Sequence, residues 1–290
     1  MSAILEVNGL TKKYINSDFS LNDVSFSLPK GAIMGFVGEN GAGKTTTLNC
    51  ILNTLIRDAG SVKMFGRDMS DNDVAIRDDI GVVFDANSFG NYLTATSVAS
   101  VMRSIYSNWD DALFASYLEK FKLPAKKSIK KYSRGMTMKL GLATALSHHP
   151  KLLILDEATG GLDPIVRDEV LDIFLDFVQD ENHSILFSSH ITTDLEKIAD
   201  YITFIHDGEI ILSKQKDELI YNYGVMRCKG SQFEEIDKDD IVAYRKRDYQ
   251  IDVLIANKSA AEKKYQDLVI DDVTIEEIML IIVKGEKTYE

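Results

Sequence analysis

GENGAGKT, residues 38 to 45, is the stretch on which the fold turns. It fits the pattern G-x-x-x-x-G-K-[ST]. It follows the apolar run AIMGFV (32 to 37), which suits a buried strand, and opens a stretch predicted to be helical from Lys44 to about Ile56. Gly38, Gly41 and Gly43 let the backbone take positive φ and approach a ligand, so that successive N–H groups and a helix N-terminus point at phosphate oxygens. Lys44 is then placed to reach the β- and γ-phosphates of a nucleotide, and Thr45 to offer a hydroxyl to Mg²⁺. Asn40, Ala42 and Thr46 complete the nucleotide-contacting set expected around the loop.

Outward from the loop, strand-like and helix-like stretches alternate. DVSFSLPKG (23 to 31) places Val24, Phe26 and Leu28 on one face of a strand before a Pro-Lys-Gly turn. From Ala99 the chain reads as helices in which Trp109, Phe114, Leu118 and Phe121 share faces. KLLILDE (151 to 157) and SILFSSH (184 to 190) are β-rich runs ending in polar residues, with a helix between them that Asp163 caps and Pro164 starts. This order implies parallel sheet with ligands at the strand C-terminal ends. There Asp156 is suited to hold Mg²⁺ or its water shell, and Glu157 to polarise an attacking water. His190 ends the next strand, where a neutral imidazole can bond a γ-phosphate; His148, His149, His183 and His206 read as structural or solvated. After about residue 214 the character shifts. A polar helical KQKDELIYNYG, strand-like VMRCKG and YQIDVLIA (249 to 256) and a helical VTIEEIMLIIVKG (273 to 285) form a small α+β appendage.

Bulk composition narrows the classes. With 290 residues and 32.5 kDa the chain can bury a sizeable core. A formal net charge of −12 opposes general affinity for nucleic-acid phosphates or anionic lipid. Cys50 and Cys228 form neither a disulfide framework nor a zinc spacing. MSAILEVNGL lacks the pattern of a signal peptide, and the apolar runs LLIL and IMLIIV fall far short of the about 20 residues that span a bilayer. The expectation is an intracellular protein that touches a membrane only through a partner.

Taken in order, GENGAGKT, YSRGM (132 to 136), LLILDE, GGLDP and SSH resemble the nucleotide-binding subunit of ATP-binding cassette (ABC) transporters, over about residues 3 to 213. The resemblance implies an α/β P-loop NTPase fold. It has a mostly parallel core sheet, an N-terminal antiparallel β subdomain, a helical subdomain at about 86 to 148, and the C-terminal α+β appendage. The ATPase domain is expected at 1 to 214 and the accessory domain at 215 to 290. YSRGM stands where the family has a signature loop, usually LSGGQ, that binds the γ-phosphate of ATP held by the opposite subunit. Ser133 and Gly135 match it; Arg134 replaces a glycine and adds a charge, and Met136 replaces a glutamine and lacks its amide. Tyr14 takes the place of the aromatic that stacks on adenine, and Asp163 matches a loop that crosses the dimer interface. Asp85, at the end of IGVVFD (80 to 85), stands where the family commonly has glutamine, and as a carboxylate can ligate Mg²⁺ or position water.

The implied cofactors are ATP and Mg²⁺. The implied partners are an integral membrane permease subunit and a second ATPase, identical or closely similar, on the cytoplasmic face of the membrane, with no nucleic acid. SNWD (107 to 110) and TIEEIM (274 to 279) resemble bacterial ABC-2-type exporters, including exporters of antimicrobial or cytolytic peptides. Two rival readings are a soluble ABC-type ATPase and a nucleotide-dependent regulatory module with weak hydrolysis. About ninety residues between phosphate loop and signature leave no room for the long coiled coil of DNA-repair relatives, and intact Lys44, Asp156, Glu157 and His190 weigh against the second.

Overall fold

The computed structural model describes residues 2–15, 18–69, 74–84 and 89–286. The chain opens with the antiparallel strands β1 (Ala3–Lys13) and β2 (Ser20–Pro29), then crosses into the central sheet as β3 (Ile33–Val37). In β2, Val24, Phe26 and Leu28 are buried and their neighbours exposed, the alternation of a strand with one wet face. The loop after β3 leads into α1 (Lys44–Ile51). This helix stops five residues short of the expected Ile56 because Asn53 turns left-handed (φ 57°) and Thr54 and Leu55 both donate to the Asn49 carbonyl. β4 (Ala59–Met64) and β5 (Arg67–Asp68) complete a four-stranded sheet in the order β2-β1-β4-β5.

A short α2 (Val74–Asp78) precedes β6 (Ile80–Val83), and α3 (Ala95–Ile105), α4 (Asp111–Lys120) and α5 (Arg134–Leu146) make the helical segment. Phe114 and Phe121 of the predicted aromatic set are buried, and the Trp109 ring packs on Phe114 at 5.1 Å while its Nε1 donates to Asp111. β7 (Leu152–Asp156), α6 (Pro164–Phe177), β8 (Ser184–Ser189), α7 (Thr192–Ile198), β9 (Tyr201–His206) and β10 (Glu209–Gln215) follow. The central sheet runs β10-β9-β3-β8-β7-β6, with every pair parallel except β9 and β10. Both of its faces are covered, which is why LLIL and SILF read as unbroken apolar runs. Met34, Phe36 and Ile154 face the β1–β2–β4 side, while Ile33, Val37 and Leu155 face the helices.

The C-terminal elements are α8 (Lys216–Asn222), β11 (Gly224–Cys228), α9 (Gly230–Phe233), β12 (Ile241–Lys246), β13 (Ile251–Ile255), α10 (Lys258–Lys264), β14 (Ile270–Asp271) and α11 (Ile275–Lys284). They build an antiparallel sheet, β12-β13-β11-β14. The change of character after residue 214 falls at the last residues of β10. α11 begins with a capping box, Thr274 and Glu277, and places Ile275, Ile278, Ile281 and Ile282 on one buried stripe. That stripe joins the same apolar cluster as Leu195 and Ile198 of α7, and Glu196 accepts the Ile275 N–H at 2.7 Å. Ile278→Ala is therefore expected to cost about 2–5 kcal/mol and to shift one single unfolding transition in urea; a separate low-stability transition would show that the appendage folds on its own.

Candidate functional site

Three strand ends converge. In register, Val37 of β3 pairs with Ser189 of β8, and Ser188 pairs with Asp156 of β7. The residues that leave these strands, Gly38, Glu157 and His190, therefore emerge side by side at the C-terminal edge of the sheet.

The loop between β3 and α1 wraps over that edge. Gly41 (φ 88°) and Gly43 (φ 111°) take the left-handed region as expected. Gly38 does not, and its need for glycine is steric: a Cβ there would lie 2.5 Å from the Ile205 carbonyl oxygen of β9. The β9–β10 turn also holds the loop from outside, with the Gly208 N–H donating to the Ala42 carbonyl at 3.0 Å and His206 3.0 Å from Glu39. Asn40 is exposed on the loop. A Cβ on Gly41 would meet nothing within 4 Å, so the loop's flank has room for a bulky anion.

Lys44 is 6% exposed and folds back over the loop. Its Nζ donates to the Gly38 carbonyl at 2.8 Å and the Glu39 carbonyl at 3.2 Å, and lies 3.2 Å from Glu157 Oε1. That last contact is at ion-pair distance without hydrogen-bond alignment, so Oε1 is buried and short of a partner. The other oxygen, Oε2, is 2.6 Å from His190 Nδ1. Glu157 itself has φ 52°, a left-handed backbone that costs a non-glycine residue about 1–3 kcal/mol and persists only when the surroundings hold it. Its N–H donates to Ser188 and its carbonyl accepts from the Gly160 N–H. The strand end, the cation and the imidazole thus fix one carboxylate.

Beside it, Thr45 Oγ1 donates to Asp156 Oδ2 at 2.8 Å, and Ser188 Oγ donates to Asp156 Oδ1 at 2.5 Å. Oxygen-only donors in this arrangement fit a hard divalent cation such as Mg²⁺. Ser188 was absent from the expected set. The sequence placed it two residues before His190 on a strand, and its meeting with Asp156 follows from the register of β7 on β8.

The remaining expected residues lie around this cluster. Tyr14 is exposed, its ring 6.4 Å from that of Phe19, and with Thr46, Ile15 and Leu55 it borders an open depression of about 650 Å³ next to the loop. Ser133 caps α5, its Oγ accepting the Met136 N–H, and Gly135 lies against Val166 of α6, where a Cβ would be 3.0 Å from Val166 Cγ1. Asp163 caps α6 as expected, Oδ1 accepting from Ile165 and Val166. Asp85 falls outside the described residues.

A sequence profile described as ABC transporter matches residues 21–160. Bacitracin transport ATP-binding protein BcrA of Bacillus licheniformis is 35% identical over 213 residues, covering 73% of this chain and 69% of that protein. Lantibiotic transport ATP-binding protein SrtF of Streptococcus pyogenes is 33% identical over 218 residues, covering 74% and 92%. A solved ATP-binding subunit of an ABC transporter superposes with a TM-score of 0.65 at 25% identity, covering 74% of this chain and 91% of that one. The chain belongs to the ABC transporter family as an ATP-binding, ATP-hydrolysing subunit that powers transport. Among the described residues no helix is long and apolar enough to cross a membrane.

Proposed function

We propose that two such subunits, identical or closely similar, face each other head to tail and drive a separate membrane permease, each ATP lying between one subunit's phosphate loop and the partner subunit's Ser133 and Gly135. The carrying observation is the carboxylate Glu157, set between Lys44 and His190 at the edge of the phosphate loop.

Lys44 takes up charge on the terminal phosphates, and the loop N–H groups and the partner's signature N–H groups add to it, since phosphoryl transfer is catalysed by positioning and charge stabilisation. Glu157 orients the attacking water and accepts its proton, and His190 holds Oε2 of that carboxylate and senses the γ-phosphate. Thr45 and Asp156 would hold Mg²⁺, which supplies charge neutralisation at the phosphate oxygens. Tyr14 and Thr46 receive the base and α-phosphate side of ATP. Asp163 contributes at the dimer interface, and Asp85 beside the metal.

Closing and reopening of the dimer then moves the permease, docked on the helical segment at the cytoplasmic face of the membrane. Export is the direction we infer, with antimicrobial or cytolytic peptides as the cargo class, supported by the two relatives named for bacitracin and lantibiotic transport. Cargo choice belongs to the permease.

The test is ATP hydrolysis by the purified chain as a function of its concentration, with light scattering in ATP. A rate rising with the square of concentration at low protein, alongside ATP-dependent dimers, is the expected result. Turnover strictly linear in concentration by a species that stays monomeric would overturn the shared-site scheme.

A further inference from the structure

Arg134, the residue that departs most from the family's signature loop, does not point away from its own subunit. Its guanidinium lies across the glycine pair Gly160–Gly161, in the loop that runs from Glu157 to Asp163. A Cβ on Gly161 would lie 2.7 Å from Nη1, 2.9 Å from Cζ and 3.3 Å from Nε. No point in the plane of the group meets these three distances together; it sits over the flat face. The cation is thus stacked on the Gly161 backbone, which is itself left-handed at φ 67°. At Gly160, a Cβ would be 3.8 Å from Arg134 Nη2 and 3.9 Å from Glu157 Oε2, so guanidinium and carboxylate flank the same backbone position. The next signature residue, Gly135, meets Val166 just beyond Asp163. Two successive signature residues therefore touch the segment that carries Glu157 and Asp163.

Two adjacent glycines give this segment the most freedom a backbone can have. Glu157 depends on it, because the Gly160 N–H closes on the Glu157 carbonyl at 3.0 Å and helps hold a left-handed glutamate. We propose that Arg134 is a positioning residue: stacked on Gly161, it fixes the Gly160–Asp163 loop and through it the orientation of the Glu157 carboxylate. This rests on the reading of Glu157 as the water-orienting group. Arginine suits the task because its guanidinium is flat and rigid and can cover the Gly161 Cα with its face, whereas a lysine ammonium is a point charge without a flat face.

The test compares steady-state ATPase kinetics of Arg134→Gly, Arg134→Lys, Gly161→Ala and the double variant Arg134→Gly/Gly161→Ala with wild type, after urea unfolding shows that each is folded. A displaced carboxylate lowers turnover steeply. Arg134→Gly and Arg134→Lys are expected to lower kcat about tenfold with KM for ATP within about twofold of wild type. Gly161→Ala, whose methyl collides with the guanidinium, is expected to lower kcat by a larger factor in wild type than in the Arg134→Gly background, since residues in contact do not act independently. Wild-type kcat in either Arg134 variant, or equal factors for Gly161→Ala in both backgrounds, would overturn the proposal. Glu157→Gln run in parallel separates the two levels. Inactive Glu157→Gln with normal Arg134→Gly rejects only the stacking role, whereas active Glu157→Gln rejects the reading beneath it.

Discussion

Glu157→Gln is expected to lower ATP turnover by about 10³-fold, the scale of losing a general base, while ATP still binds and dimers accumulate. The amide keeps the size and one acceptor oxygen, so His190 retains a neighbour, but it cannot take a proton from water. The structure adds a sharper expectation. Glu157 Oε1 sits 3.2 Å from Lys44 Nζ, where it serves as counter-charge to a buried cation. An arriving phosphate has to displace it. Removing that charge relieves the competition, so apparent ATP affinity should hold or rise, by up to about fivefold if the ion-pair contact is worth about 1 kcal/mol. Equilibrium binding with a fluorescent ATP analogue, single-turnover hydrolysis and light scattering read the three quantities separately. Normal turnover by the variant would remove Glu157 from the mechanism.

Lys44→Ala is expected to fail at both levels. Charge-assisted hydrogen bonds contribute about 1.5–3 kcal/mol each, so ATP affinity should fall by about ten- to a hundredfold and hydrolysis by more. The unliganded protein changes too. The Gly38 and Glu39 carbonyls lose their donor, and Glu157 Oε1 is left buried without any counter-charge. Loss of one member of such a pair destabilises because the other stays desolvated. Glu157 is about one-fifth exposed, so water takes up part of that cost. A double variant, Lys44→Ala with Glu157→Gln, should recover some of the lost stability and none of the activity. Recovery is measured by the urea midpoint; equal midpoints for the single and double variants would mean the contact contributes nothing in the absence of nucleotide.

Where function depends on a continuous stretch of chain, the sequence was explicit. GENGAGKT announced the loop, its strand and its helix, and the LLILDE and SSH runs announced the strands that deliver Asp156, Glu157 and His190. What was hidden depended on neighbours from other parts of the chain. Gly38 is glycine because β9 passes behind it, not because of its own φ, and nothing near residue 38 records that. Ser188 becomes a partner of Asp156 only through the register of β7 on β8. α1 ends early at a left-handed Asn53, a choice that a run of helix-compatible residues does not reveal. Arg134 read as a charge added to a phosphate-facing loop; that its guanidinium lies on Gly161 follows from how α5 seats against α6. In the appendage, the periodicity of VTIEEIMLIIVKG gave a helix with one apolar face but not the surface that covers it.

The seating of α11 on α7 has a practical meaning for anyone recombining these chains. Ile275 and Ile278 share their interior with Leu195 and Ile198, and Glu196 closes the N-terminal end of α11. Residues 215 to 286 are thus not a cassette that can be cut out and spliced onto another ATPase at will. A chimera has to carry α7 along with the appendage, and α7 begins two residues after His190. Whatever trait travels with the C-terminal segment is inherited together with the helix that follows directly on His190.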